Sequence, residues 1–192
     1  MRTVEFPHPE RSDGDDKIRC MRLPGRYWLS LTLLWPLLTR AADLDVPQLG
    51  IRMTGLPDGM AAPQVTGRGG GQEATTRAGE AQLSVYREDA PVPANSDVAN
   101  PAYRASLDAR FDPAVDSRTL GAPTQLAGHS AWTVVAARAQ GDHTVYNCIT
   151  YVIVDRHLYR FAVTASAAQH RPAEFDALVR ALSQVSFEPS HG

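Results

Sequence analysis

The sequence predicts an α+β domain in which an antiparallel β-sheet is covered by a C-terminal helix and a shorter middle helix. Residues 131–165 contain long β-branched and aromatic runs separated by two short polar connections, which is typical of an antiparallel meander. Residues 172–185 have the periodicity of a helix with one apolar face. Of the 192 residues, 43% are hydrophobic, which favours a globular chain over a disordered one.

The N-terminal 41 residues are predicted to lie outside this domain. Residues 1–20 are polar and unpatterned, and we interpret them as a non-structural upstream extension. Residues 21–41 have a basic start, a 12-residue apolar run at 27–38 and small residues before the expected cleavage after Ala41, as in a secretory signal peptide. A membrane-spanning helix needs about 20 apolar residues, so a retained anchor is the weaker alternative. We therefore expect a single domain at 42–192, located in the periplasm or secreted.

The charge and cysteine content of residues 42–192 exclude some functions. This region has 12 Arg, no Lys and 16 acidic residues, a formal charge of −4. Nucleic-acid binders carry a basic patch, so we expect no nucleic-acid partner. Cys148 is its only cysteine, which leaves no intramolecular disulfide. Because Cys148 lies among Ile and Val in a predicted strand, we expect a small buried hydrophobe and not a reactive thiolate.

The first half of the domain contains two predicted strands on either side of a glycine-rich segment. Alternating apolar residues predict strands near 49–54 and over 80–88. Between them, 64–76 contains the run Gly-Arg-Gly-Gly-Gly at 67–71. A phosphate-binding loop would also need a Lys-Ser/Thr pair and a following helix. Without them, the segment is predicted to be a flexible loop or hairpin.

The middle helix is predicted to begin at Asn100-Pro101. Asn can cap a helix, and Pro suits its first position. Tyr103 and Leu107 would lie on its buried side, and Pro113 would end it.

The meander that follows has a predicted central strand and a predicted outer strand. The central strand, 143–154, is apolar on both sides and should be covered on both faces. The outer strand, 158–165, alternates, with Tyr159, Phe161 and Val163 on one face.

The closing helix has a single apolar stripe. Phe175, Leu178 and Leu182 recur at helical spacing, together with Val179. A stripe of this kind needs a sheet to cover. Asp176 and Arg180 are spaced to pair on the exposed side.

Ser130 lies in Gly128-His129-Ser130-Ala131-Trp132, which partly matches a hydrolase nucleophile elbow. The elbow needs a second glycine where Trp132 stands and a helix after the serine, whereas the following residues have a strand pattern. We therefore predict no catalytic residue, and a small serine hydrolase built on Ser130 remains an alternative.

Four histidines recur at intervals of about one strand length, which places His129 and His157 at one end of the meander and His143 and His170 at the other. Two of them with Asp155, or two with Asp142, have the side chains of a zinc site, but strand-end histidines are usually solvated. We expect no metal and no cofactor.

Asp108, Asp112 and Asp116 repeat every fourth residue. Pro113 interrupts the helix between them, so we interpret them as solvated residues at a helix end and not as an acid–base pair.

Four stretches together resemble the domain of the photosystem protein PsbP and of bacterial DcrB-like exported proteins. They are LGIRMTGLPDG, LAGHSAWTVVAA, VDRHLYRFAVTAS and FDALVRALSQVSFEP, within residues 49–189. The resemblance implies a sandwich of a helix on an antiparallel sheet. It also implies a non-enzymatic module of a kind associated with stabilising larger assemblies.

These observations predict a periplasmic or secreted binding or accessory protein of the bacterial cell envelope, without enzymatic activity and with a protein partner. The predicted partner-binding residues are His129, Trp132, Arg156 and His157. A periplasmic immunity protein that neutralises a toxin is a further alternative. No stable membrane span is expected after signal cleavage.

Overall fold

The protein has an α+β fold, seen here in a computed structural model that describes residues 42–111, 119–120 and 124–188. The described strands are β1 (Ala42–Val46), β2 (Ile51–Leu56), β3 (Gln64–Arg68), β4 (Gly71–Ala78), β5 (Ala81–Glu88), β6 (Thr119–Leu120), β7 (Thr124–Leu126), β8 (His129–Gln140), β9 (His143–Val154), β10 (His157–Ala167) and β11 (Val185–Phe187). The helices are α1 (Pro101–Phe111) and α2 (Ala173–Ala181), and single 3-10 turns lie at Pro47–Leu49 and Leu182–Gln184. The predicted α+β class with an antiparallel sheet is confirmed, but the middle helix, with 11 residues against 9 in the C-terminal helix, is the longer of the two and not the shorter as predicted.

The strands form one large curled sheet and one small sheet, both antiparallel. The large sheet has the order β3-β4-β5-β10-β9-β8-β6, with β7 also paired to β8. The small sheet has the order β1-β2-β11. Strands β8, β9 and β10 are neighbours joined by two-residue turns, so the predicted meander is confirmed.

Strand β10 is an internal strand, and its prediction as the outer neighbour was wrong. Its second edge pairs with β5 over seven residue pairs, from Tyr159–Arg87 to Ala165–Ala81. Its side chains also reach both cores: Phe161 belongs to the core on one face and Ala162 to the core on the other. The pairing with β5 joins residues about 75 apart in sequence, which local periodicity does not reveal.

The first face of the large sheet packs against α2 and the small sheet. On β10 this face carries Tyr159, Phe161 and Val163, all buried. Phe175 and Leu178 of α2 are 2% and 0% exposed. At about 2 kcal/mol for each large apolar side chain, their burial is a major part of what holds the helix to the sheet.

The C-terminal helix ends earlier than its periodicity predicts. After Ala181 the chain tightens into a 3-10 turn and then enters β11. Leu182 is 5% exposed, so the apolar stripe continues through this turn. Asp176 pairs with Arg171, because Arg171 Nη2 lies 2.9 Å from Asp176 Oδ1. The predicted pair of Asp176 with Arg180 was wrong.

The middle helix α1 lies on the opposite, second face of the sheet. It begins where predicted, because the Asn100 side chain accepts a hydrogen bond from Ala102 N over 2.9 Å and Pro101 occupies the first position. Leu107 is 2% exposed and packs on the sheet. Pro113, the predicted end of the helix, lies outside the described residues.

Four of the described strands, β1, β6, β7 and β11, were missed by sequence analysis. Strands β1 and β11 are short and pair with β2, which begins two residues later than predicted. The glycine-rich segment forms the β3–β4 hairpin, one of the two predicted forms. Neither α1 nor α2, the two helices in the described part of the chain, is long and apolar enough to cross a membrane.

Candidate functional site

The second face of the large sheet is apolar and buried at one end, and mostly polar and accessible at the other. Near the β9–β10 turn it is covered by α1 and the segment before it. The buried residues of this region are Val92, Val98, Leu107, Trp132, Val134, Ile149, Tyr151, Leu158 and Ala162. Toward the β4–β5 turn the same face carries half-buried or exposed side chains, namely Arg77, Gln82, Val145, Asn147, Thr164 and Ser166. We call these two regions the covered end and the open end.

Strand register places the polar side chains of the open end in one row. Arg77 pairs with Gln82, Gln82 with Thr164, and Thr164 with Asn147. Residues directly opposite each other in antiparallel strands point to the same face. The row therefore presents a guanidinium, two carboxamides and a hydroxyl across four strands.

A depression of about 260 Å³ lies in the open end. Its lining residues are Arg77, Gly79, Glu80, Gln82, Val145, Thr164, Ala165 and Ser166. Arg77 Nε donates to Gln82 Oε1 over 3.2 Å, which holds the two side chains together. Among the described residues Arg77 has no carboxylate partner, so its terminal nitrogens are available to an anionic or hydroxyl-bearing group.

A buried carboxylate lies beside the covered end. Glu73 on β4 is 8% exposed, and both of its oxygens are engaged. Arg68 Nη1 lies 2.8 Å from Oε2, and Ser84 Oγ donates to Oε1. Burial alone would raise the pKa of Glu73. The hydrogen bonds from Arg68 and Ser84 and the charge of Arg160 outweigh burial and hold that pKa below its ordinary value.

Glu73 is therefore a structural anion. A general acid or base needs a pKa near the working pH and a free oxygen directed at a substrate. Glu73 has neither, since its pKa is lowered and each of its oxygens already accepts a hydrogen bond, one from Arg68 and one from Ser84. This group fixes the β3–β4 hairpin to β5.

Trp132 was predicted to contact a partner, and the structure corrects that prediction. The side chain is 1% exposed, and its ring stacks on Tyr151 at a centroid distance of 5.4 Å. The guanidinium carbon of Arg104 lies 5.7 Å from the Trp132 ring centroid. Helix α1 thus covers Trp132, and an indole that is fully buried cannot bind a partner directly.

The other three predicted binding residues are brought to one end of the sheet. Arg156 lies in the β9–β10 turn and is exposed, while His129 and His157 begin β8 and β10 and are half-buried. The His129 ring lies edge-on to Phe187 at 5.8 Å. Their partner binding remains a prediction.

Arg156 and His157 have structural contacts. Val92 N donates to Arg156 O over 2.7 Å, and Arg156 Nε donates to Val92 O over 3.2 Å. His157 Nδ1 lies 3.0 Å from Glu88 O. The β9–β10 turn therefore anchors the segment that leads into α1.

Ser130 does not lie on a nucleophile elbow in this structure. It is exposed near the start of β8, after a two-residue turn formed by Ala127 and Gly128. That turn joins β7 to β8, whereas an elbow joins a strand to a helix. The strained presentation that activates such a serine is therefore missing at this position.

The remaining residues considered in the sequence analysis are the histidines of the meander and three aspartates. His129 and His157 lie at the opposite end of the meander from His143, as predicted. Within the described ranges, no three His, Cys, Asp or Glu side chains gather as metal ligands. The side chain of Asp108, and all of Asp112 and Asp116, lie outside the described residues.

Cys148 is a buried thiol, as predicted. It is 1% exposed in the first-face core. Burial raises its pKa to about 11, and a hydrogen bond with Thr150 only partly offsets this rise. A thiol of this kind is not a nucleophile near neutral pH.

Comparisons with known proteins do not show a family for this chain. The sequence matches no known family model and no curated protein. Among solved structures, the chain is similar to LpqN of Mycobacterium tuberculosis, described as involved in cell envelope biogenesis. The identity is 14%, over 78% of this chain and 86% of LpqN, with a TM-score of 0.40. A likeness at that level carries no argument about function, and the resemblance to PsbP and DcrB-like proteins remains a prediction.

Proposed function

We propose that this chain is an exported, non-enzymatic binding or accessory protein of the bacterial cell envelope, and that it binds its partner on the open end of the large sheet. The observation that carries the proposal is the row of polar side chains around the depression at Arg77, Gln82 and Thr164, in which Arg77 has no carboxylate partner among the described residues. These side chains stand on regular strands, which hold a binding surface more rigidly than loops do.

Export is supported by the sequence before the domain. The basic start, the 12-residue apolar run and the small residues around Ala41 together match a secretory signal peptide. The absence of lysine and the formal charge of −4 over residues 42–192 suit a protein partner better than a polyanion.

A non-enzymatic role is supported by the state of the reactive groups. Glu73 has both oxygens bonded, the Cys148 thiol is buried with a raised pKa, and Ser130 follows a hairpin turn. Pairing explains Glu73, packing explains Cys148, and Ser130 lacks the geometry of a nucleophile elbow. None of them faces the depression of the open end.

The donors of the open end indicate the chemistry of the partner. A guanidinium binds a carboxylate through two parallel hydrogen bonds. The hydroxyls of Thr164 and Ser166 and the amide of Gln82 can donate or accept. The surface suits a partner segment that presents a carboxylate beside other polar groups.

The proposal is tested by two measurements on the natural host or a close substitute. Mass spectrometry of the protein in the periplasmic or culture-medium fraction should show a chain beginning at Ala42. Immobilised protein should retain a component of an envelope extract, and Arg77→Gln should reduce the amount retained several-fold. Arg180→Gln is the matched control, because Arg180 is an exposed arginine on α2, which packs on the first face. Equal retention by the two variants, or a full-length chain in the cytoplasm, would overturn the proposal.

A further inference from the structure

Strand β3 forms one edge of the large sheet. Among the described residues it pairs only with β4, and all five of its residues, Gln64–Arg68, are exposed. A sheet edge presents N–H and C=O groups that have no partner on one side, and these groups can pair with another strand.

The β3–β4 turn determines which of these groups face inward. Arg68 and Gly71 flank a two-residue turn formed by Gly69 and Gly70, whose φ values are 53° and 84°. Positive φ at both residues is the mark of a type I′ turn. Because the residue before such a turn accepts a hydrogen bond from the residue after it, Arg68 and Gly71 are a hydrogen-bonded pair.

Hydrogen-bonded and non-hydrogen-bonded pairs alternate along antiparallel strands. Thr66 and Gln64 lie two and four residues before Arg68, so their backbone N–H and C=O groups bond to β4. The N–H and C=O groups of Val65 and Gly67 therefore point away from β4.

A backbone hydrogen bond just before the start of β3 indicates the same alternation of inward- and outward-facing backbone groups. Ala61 N donates to Arg77 O over 3.0 Å, on the side of β4 that faces β3. Odd-numbered residues of β4 therefore direct their backbone groups toward β3. Glu73, the partner of Thr66, belongs to that set.

The edge lacks the devices that usually prevent strand pairing. Proteins protect an edge with proline, lysine or a bulge. Strand β3 contains neither residue, and its register with β4 runs without a shift from Gln64 to Arg68. Its single charged side chain, Arg68, is held by Glu73 at 2.8 Å.

We propose that β3 pairs with β3 of a second copy of this chain, antiparallel and centred on Thr66. In that register Val65 lies opposite Gly67 of the second copy, and Gly67 opposite its Val65. Both members of each pair direct N–H and C=O toward the other strand, so each pair exchanges two backbone hydrogen bonds. The two-fold axis passes between the two Thr66 residues, as in an isologous dimer.

The side chains of β3 are compatible with this register. Thr66 faces Thr66 of the second copy, a pair that is favourable across antiparallel strands. Gln64 faces Arg68 of the second copy, which avoids opposition of like charges. Val65, which is 37% exposed, lies over a glycine that offers no steric obstacle.

Disulfide trapping in the full chain tests the register. The background variant is Cys20→Ser, so that the buried Cys148 is the only other thiol. In Thr66→Cys the two Cα atoms lie about 4.5 Å apart as a non-hydrogen-bonded pair, within the range of about 4.4–6.8 Å that a disulfide needs. In the control Val65→Cys they are diagonal, at about 7–8 Å. We expect roughly tenfold more disulfide-linked dimer from Thr66→Cys under mild oxidation, on the strength of this distance limit.

Analytical ultracentrifugation of the unmodified protein over a range of concentrations is the second test. We expect a reversible dimer that Val65→Pro abolishes without lowering the melting temperature, since proline removes an N–H that faces solvent in the monomer. Equal trapping in both cysteine variants, no trapping in either, a monomer at every concentration, or a dimer that survives Val65→Pro would overturn the proposal. The open-end proposal does not depend on the outcome, because Val65 and Thr66 do not line the depression.

Discussion

The covered end and the open end of the second face share strands β9 and β10, and they differ in what lies above them. At the covered end, Leu107 of α1 packs over Trp132 and Tyr151, which are each 1% exposed. On the same face, two residues away from Ile149 and Ala162, the side chains become Asn147 and Thr164, and Ser166 follows two residues after Thr164. The change from apolar to polar follows the limit of the helix cover. A polar row on a central part of a sheet therefore marks a surface that meets water or a partner.

Substitution at the covered end should have the largest effect on stability. Trp132→Ala removes a buried aromatic side chain and its stacking on Tyr151, and we expect the free energy of unfolding to fall by about 3–5 kcal/mol. Urea denaturation followed by circular dichroism measures the change. A loss below about 1 kcal/mol would show that α1 does not cover this residue in solution.

Substitution of Glu73 should lower the free energy of unfolding by an intermediate amount. Glu73→Gln keeps the shape but removes the charge that pairs with Arg68, and we expect a loss of about 1–3 kcal/mol. Glu80→Gln is the matched control, because Glu80 is exposed in the β4–β5 turn. If the two variants lost the same stability, the ion pair between Glu73 and Arg68 would be contributing nothing.

The contribution of Glu73 should depend on pH in a defined direction. Its pKa in the folded protein lies below the ordinary value of 4.5, so its stabilising effect is present above that value. As the pH falls below 4.5 and through the lowered pKa, this contribution is lost. We expect the stability difference between the natural protein and Glu73→Gln to shrink between about pH 6 and about pH 3. A difference that grows with acidity would contradict the assigned direction.

The smallest effect on stability should come from the open end. Asn147→Ala and Thr164→Ala remove half-buried polar groups without creating a cavity, and we expect changes within about 0.5 kcal/mol. The same variants should nevertheless retain less of the envelope component than the natural protein does. A large stability loss with unchanged retention would show that these residues are packing positions and not binding positions.

The elements that sequence predicted are those with strong local periodicity. The meander, the 81–88 strand, the start of α1 and the apolar stripe of α2 all have patterns that are complete within a short window. Strand β11 has only three residues, which is too short for a pattern. The place of β10 inside the sheet depends on its pairing with β5, which lies far away in sequence.

The same distinction explains the candidate site. Tryptophan is a residue type that is common at interfaces, and only the position of α1 shows that Trp132 is buried. Arg77, Gln82 and Thr164 are ordinary strand residues in sequence and become a row only when β4, β5 and β10 pair. The alternating polar positions of the 80–88 strand were the one local sign of a solvent-facing surface there.

Site-specific photo-crosslinking in living cells tests the central claim most directly. A photoreactive amino acid would replace Ser166 in the open end and, in a parallel strain, Arg180 on α2; both positions are exposed. We expect a crosslinked product of higher mass from Ser166, a product that Arg77→Gln suppresses, and none of comparable yield from Arg180. A product from Arg180 with none from Ser166 would contradict the assignment of the open end as the binding surface.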